Sequence, residues 1–264
     1  MTVKIDGTNT EANPAFTGAD TDTGLQCGTN ELKLVVGGTA AATFDSNGNL
    51  GINTSSPVKQ LQVGAHGSSS EGTIALASTT SGTCSILMGD GATGTNVYRG
   101  YVQYNHTDDA MLFATSSSER MRITSDGYVT KANHPAFEVS NNPGDVTNGL
   151  LAPSHVQMNR GSHYSTSNGV FTAPVTGVYC FYYGSIKQSD NSQVVRVYMR
   201  VNNVAAYDSK HLRLADDSGN YGENASITWT HYLAKDDQVR LYVGAGNIYG
   251  STQEYFHFGG YLIG

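Results

Sequence analysis

Apolar side chains recur at every second position over much of this chain. Val195, Val197, Met199 and Val201 share one face of an extended segment, and Arg196, Tyr198 and Arg200 share the other, which is the period of two that a half-buried β-strand imposes. Val239, Leu241 and Val243 against Arg240 and Tyr242 repeat the pattern. Trp229 shares parity with Ala225, Ile227 and Leu233, which puts its ring in a core rather than on a platform for sugars. Residues 178–183 are apolar or aromatic at every position, predicting a strand covered on both faces. The segment 256–263 is too apolar for an open edge and is predicted to be an inner strand near an assembly axis. Nowhere does a helical period persist, so the predicted class is all-β.

The two halves differ in texture. Up to about residue 131 the chain carries small polar runs such as Gly67-Ser68-Ser69-Ser70, whereas the dense aromatic strands begin after Pro135, so a boundary is expected near residue 132. The first half contains an internal repeat. Residues 44–50 (FDSNGNL) and 123–129 (ITSDGYV) both read as strand, polar turn with glycine, strand. Each is followed by a proline, Pro57 or Pro135, and then by an alternating apolar pair, Leu61 with Val63 or Phe137 with Val139.

Charge narrows the function classes. Only 14% of residues are charged, against roughly 25% in ordinary soluble domains, which closes the charge-driven route to disorder. A net charge of -7 argues against nucleic acid as a partner, because binding phosphate backbones needs a basic footprint. No apolar run approaches the length of a spanning helix and the N-terminus lacks the apolar stretch of a secretion signal, so the expectation is synthesis in a cytosol without membrane insertion. Cys27, Cys84 and Cys180 are far apart and form no C-x-x-C pair; they are expected as buried thiols.

Short hairpins in a Ser/Thr/Gly-rich first half bury little apolar area and leave strand edges open. Three copies wound about one axis supply the missing interior, so a homotrimer is expected; a compact monomeric sandwich is the alternative.

The first half resembles the shaft segments of bacteriophage tail fibres, through residues 14–24 (PAFTGADTDTG), 45–57 (DSNGNLGINTSSP), 104–111 (YNHTDDAM) and 118–123 (SERMRI). Asn53 stands where those fibres usually have glycine. The second half resembles the globular head of complement component 1q, a jelly-roll trimer akin to the tumour necrosis factor fold. The residues concerned are Asn159, Tyr164, Phe171, Gly177, Tyr179, Phe181 and Tyr183, the segment 233–241 and the ending 258–263. Asp236 departs from a usual glycine and Pro153 from a usual phenylalanine. Together the resemblances imply a homotrimeric viral tail fibre made in the host cytoplasm and carried on the virion tail. Residues 1–43 would attach to a tail protein, 44–131 form a β shaft, and 132–264 form a jelly-roll head.

Catalytic motifs are missing: there is no Gly-x-Ser-x-Gly, no His-Glu-x-x-His and no phosphate loop. The chain is read as not an enzyme, and adjacent acids such as Asp108 with Asp109 are read as solvated loop residues. No cofactor is expected. Calcium is the single candidate ion, through Asp216, Asp217 and Glu223 in one polar loop, against the alternative of a hydrated acidic loop. If both termini of a jelly roll lie at the stalk side, alternate loops gather at the far end. That places Lys187, Asp190 and Asn191, then Asn220 and Tyr221, then Asn247, Tyr249 and Gln253 together as a receptor-binding tip for a host glycan or outer-membrane protein. A structural connector of the virion and a polysaccharide-cleaving spike are the alternatives.

Overall fold

The computed structural model describes residues 4–5, 16–17, 20–65, 67, 72–141, 144, 146–187, 194–203, 211–214, 224–249 and 255–264. These residues form strands and a single 3-10 turn at Gly94–Tyr98, as the alternating pattern predicts. They divide into two units, residues 1–85 and 86–264.

The first unit is a seven-stranded sheet whose strands succeed one another in sequence order: β1 (Lys4–Ile5), β2 (Phe16–Thr17), β3 (Gly24–Gly28), β4 (Glu31–Val36), β5 (Thr39–Phe44), β6 (Leu50–Ile52) and β7 (Leu61–Val63). All neighbours are antiparallel except β6 and β7. Register aligns Leu25, Leu34, Ala42 and Ile52 across the sheet, and beside them Cys27, Leu32, Phe44, Leu50 and Leu61. This apolar face is open: Leu25, Leu32, Leu34, Val36, Phe44, Ile52 and Leu61 are between 36% and 60% exposed. The opposite face carries Gln26, Lys33, Val35, Thr43 and Gln62, of which Val35 and Thr43 are buried. The expected break near residue 43 falls inside β5. Cys27 is exposed because it lies on the open face, so the expectation of buried thiols holds for Cys180 and fails for Cys27.

The second unit opens within β8 (Thr83–Met88), the edge strand of a five-stranded sheet with β9 (Gly100–Asn105), β10 (Ala110–Thr115), β11 (Ser118–Ile123) and β12 (Val129–Thr130). Arg122 ties it together, donating to Asp108 at 3.1 Å and to Glu119 at 2.9 Å. The sequence repeat is a structural one. Asp45 N donates to Asn49 O and Gly48 N to Asp45 O, and Thr124 N donates to Tyr128 O and Gly127 N to Thr124 O, all at 2.9–3.0 Å. Both turns need a glycine, with φ of 79° at Gly48 and 83° at Gly127. The two turns lead the chain to different places, since β7 adds to its own sheet, whereas the strand after Pro135 enters a sandwich.

That sandwich comprises β13 (Ala136–Ser140), β14 (Val146–Leu151), β15 (His155–Arg160), β16 (Tyr164–Ser165), β17 (Val170–Thr172), β18 (Gly177–Lys187), β19 (Val195–Val201), β20 (His211–Leu214), β21 (Asn224–Leu233), β22 (Gln238–Tyr249) and β23 (Phe256–Leu262). One layer runs β15-β13-β23-β18-β21; in the other, β22 pairs with β14, β17 and β19, and β19 with β20. The layers meet where the end of β22 crosses over to place Ile248 and Tyr249 opposite Lys187 and Ile186. Between them lies one core. Phe137, Tyr179, Phe181, Tyr183, Trp229, Phe256 and Phe258 enter from the first layer, and Phe171, Val197, Met199, Val239, Leu241 and Val243 from the second. Trp229 is in this core and 256–262 is an inner strand paired on both edges, as their sequence patterns predict. Together these strands form an all-β jelly-roll sandwich.

Candidate functional site

Of the residues expected at a receptor-binding tip, Asp190, Asn191, Asn220, Tyr221 and Gln253 lie outside the described residues, as do the candidate calcium ligands Asp216, Asp217 and Glu223. The other three sit on strands instead of loops, because β18 and β22 extend further than their sequences suggest. Lys187 ends β18 and is only 2% exposed, so its side chain does not face solvent as a tip residue would. Asn247 and Tyr249 lie in β22, where Asn247 is opposite Thr147 and the Tyr249 ring meets Tyr255 edge-on. Among the described residues no three His, Cys, Asp or Glu side chains cluster as metal ligands, and no helix is long and apolar enough to cross a membrane.

A different constellation stands out, on the face of the first layer that points away from the core. Strand parity sends Val178, Cys180 and Tyr182 of β18, His257 and Tyr261 of β23, Glu138 of β13 and Tyr232 of β21 to this side. Two glycines flatten it. Gly259 lies between Tyr182 and Glu138 on the neighbouring strands, and a methyl group at 259 would run into the Tyr182 ring. The ring therefore lies across Gly259, and its hydroxyl reaches Glu138 two strands away. Gly184 likewise leaves room for the His257 ring directly opposite it.

The electrostatics result from this packing. Burial, then the Glu138 charge and hydrogen bond, push the Tyr182 phenol up to about 12. The Tyr261 phenol is raised by its hydrogen bond to the Cys180 sulfur and by that group's charge. Both phenols are neutral at ordinary pH, so this is a flat surface of uncharged rings. Its outer parts are open, with Tyr261 44% and Tyr232 65% exposed and Val178 beside them. The arrangement suits docking by a flat apolar partner; it holds no nucleophile paired with a base and no pocket for a reacting group. Sequence parity alone gives the outward tyrosines but not their flattening. The signal for that is glycine inside otherwise apolar strands, which marks close approach of another group.

Residues 136–263 match the family described as the C1q domain. Over 110 residues the chain is 31% identical to complement C1q tumor necrosis factor-related protein 3 of Homo sapiens and of Mus musculus, covering 42% of this chain and 43% of each relative. It is also 31% identical over 105 residues to Caprin-2 of Danio rerio, covering 40% of this chain and 11% of that protein. The chain thus spans less than half the length of these relatives. Among solved structures, the globular domain of zebrafish complement 1qA is similar with a TM-score of 0.40 and 19% identity, covering 50% of this chain and 98% of that one. Murine APRIL is similar at 0.39 and 11%, covering 49% and 99%.

These findings correct the expectation of a viral tail fibre. The curated relatives are C1q/tumour necrosis factor-related proteins of human and mouse, and none of these matches supports a virion tail, a tail-protein partner or a host receptor for such a fibre. The C1q-domain match over residues 136–263 is consistent with the reading of the chain as not an enzyme. Residues 136–263 are a C1q/TNF-like globular domain.

Proposed function

We propose that this chain is a non-enzymatic recognition protein of the C1q type that works as a homotrimer. The observation that carries this reading is that both units leave broad apolar faces open in a single chain: the leucine-rich face of β3–β7, and the flattened tyrosine face of β13, β18, β21 and β23. Soluble monomers rarely expose contiguous apolar patches of this kind. Copies of the same chain are suitable occupants, because closed rotational symmetry covers such apolar faces equivalently on every copy. Three heads held together then engage a partner protein at once, and avidity strengthens contacts that are weak singly.

Light scattering of the purified chain tests this directly. The expected particle has three times the 28.0 kDa of one chain. Replacing Tyr261 by Asp, on the head face, should release single chains that still show the far-ultraviolet signature of a β-sandwich. A particle of one chain in the unaltered protein at micromolar concentration would overturn the reading.

A further inference from the structure

Residues 73–88 contain no charged residue and no proline. The stretch turns at its middle, where Gly82 N donates to Thr79 O at 3.0 Å, and then runs into β8. β8 is the last strand of its sheet, and among the described residues no strand lies beyond it. Proteins usually protect such an edge with charge, proline or a covering segment. Here Ile86, Leu87 and Met88 are each at least half exposed, and none of those protections is present.

The arm before the turn has the opposite defect. Residues 73–78 (TIALAS) alternate as a strand does, with Ile74 and Leu76 more than half exposed. They belong to no strand, and their amides and carbonyls form no main-chain hydrogen bond among the described residues. A side-chain bond reaches the arm instead: Cys84 Sγ donates to Leu76 O at 3.2 Å. The arm therefore passes beside β8 without zipping onto it.

The turn explains why. Two-residue hairpin loops hold their strands together when positive φ matches the loop to the strand twist. Gly37 and Gly38 do this between β4 and β5, with φ of 57° and 71°, as do Ser116 and Ser117 between β10 and β11, with 51° and 60°. Neither Thr80 nor Ser81 has a positive φ, and a β-branched threonine resists one. The loop splays its two arms.

We propose, resting on the homotrimer reading above, that residues 73–78 of one copy add as an antiparallel strand to the outer edge of β8 in the next copy. A second copy is the occupant because every chain carries both halves of the contact, an arm without a sheet and a sheet edge without a further strand. Rotational symmetry fills both on each copy. The register set by the turn, carried over between copies, places Ile74 opposite Leu87, Ala75 opposite Ile86 and Ala77 opposite Cys84. These are apolar cross-strand pairs with no like charges to oppose them.

Cys84 provides the test. The full chain carrying Ala77→Cys and Cys27→Ser is oxidised and run on denaturing electrophoresis without reductant, beside Cys27→Ser alone, with light scattering of the same samples. Covalently linked dimers and trimers are expected from the first and not from the second, both from particles of three chains. In particles of three chains, a disulfide confined to single chains, or none between positions 77 and 84, overturns the proposal and leaves the homotrimer reading standing; particles of one chain overturn both. Adding Thr80→Asn and Ser81→Gly supplies a positive-φ turn and should move the disulfide into single chains. Undiminished links between chains would overturn the role given to the turn. In the unaltered protein, the amides of residues 73–78 should exchange with deuterium about tenfold or more slowly than in an unstructured peptide; peptide-like rates would overturn the added strand.

Discussion

The N-terminal sheet and the sandwich use similar apolar residues in opposite ways. In the sandwich, alternation on two layers points Phe181, Phe258, Val197 and Leu241 at one another, and all four are fully buried. In the N-terminal sheet the same alternation leaves Leu25, Leu34, Phe44 and Ile52 between 37% and 46% exposed on one face, while Val35, Thr43 and Pro57 are buried. Correct patterning therefore produces a strand but does not by itself produce a core; a second layer has to come from somewhere. The sandwich supplies its own, and among the described residues the N-terminal sheet supplies none for its leucine-rich face.

Substitutions can break this contrast. Phe181→Ala removes a ring packed against Phe137, Phe171, Tyr179 and Phe258, and should cost about 3–5 kcal/mol in chemical denaturation of the sandwich. Leu34→Ala sharpens the comparison. If the face stays open the change should cost less than about 1 kcal/mol, whereas burial beneath copies of the chain raises it to about 2–5 kcal/mol. Denaturation at several protein concentrations distinguishes the two, and the proposed trimer requires the larger value. Gly259→Ala should cost about 1–3 kcal/mol by displacing the Tyr182 ring without unfolding the domain; loss of one of the several late-titrating phenols in an ultraviolet pH titration, the same one that Tyr182→Phe removes, is the check.

That titration carries its own prediction. Because the Tyr182 pKa is raised in the folded state to about 12, its contribution is intact below the unfolded value near 10. Sandwich stability should then fall as pH rises from about 10 toward 12, and Tyr182→Phe should remove that part of the alkaline loss. The smallest expected effect is at the repeated turns. Asp45 Oδ1 accepts from the amides of Asn47 and Asn49 at 2.9 and 2.8 Å, and these bonds hold its carboxyl below the usual range. Thr124 offers one weaker bond, to Tyr128 N at 3.2 Å. Asp45→Ala should therefore lower the melting temperature of its sheet more than Thr124→Ala lowers that of its own. Acid should loosen the first turn, since a depressed carboxylate stabilises above its unfolded pKa and loses that effect as pH falls through the folded one.

Local rules made much of this legible in the sequence. The strand at Val195–Val201, the core position of Trp229 and the paired turns at Gly48 and Gly127 each depend on residues within a few positions of one another. Features that depend on distant partners were not legible. Residues 178–183 read as covered on both faces, yet Val178 is 38% exposed, and Tyr182 finds its cover on Gly259 and Glu138, which no local pattern reveals. Lys187 reads as a loop residue because the partner that extends its strand, Ile248, lies far along the chain.

One detail of the sandwich bears on its portability. Its first and last strands are hydrogen-bonded neighbours, with Ala136 opposite Tyr261, so the chain comes in and goes out through the same corner. A domain joined at a single seam can be appended to unrelated scaffolds without rebuilding either, much as a plug fits many sockets.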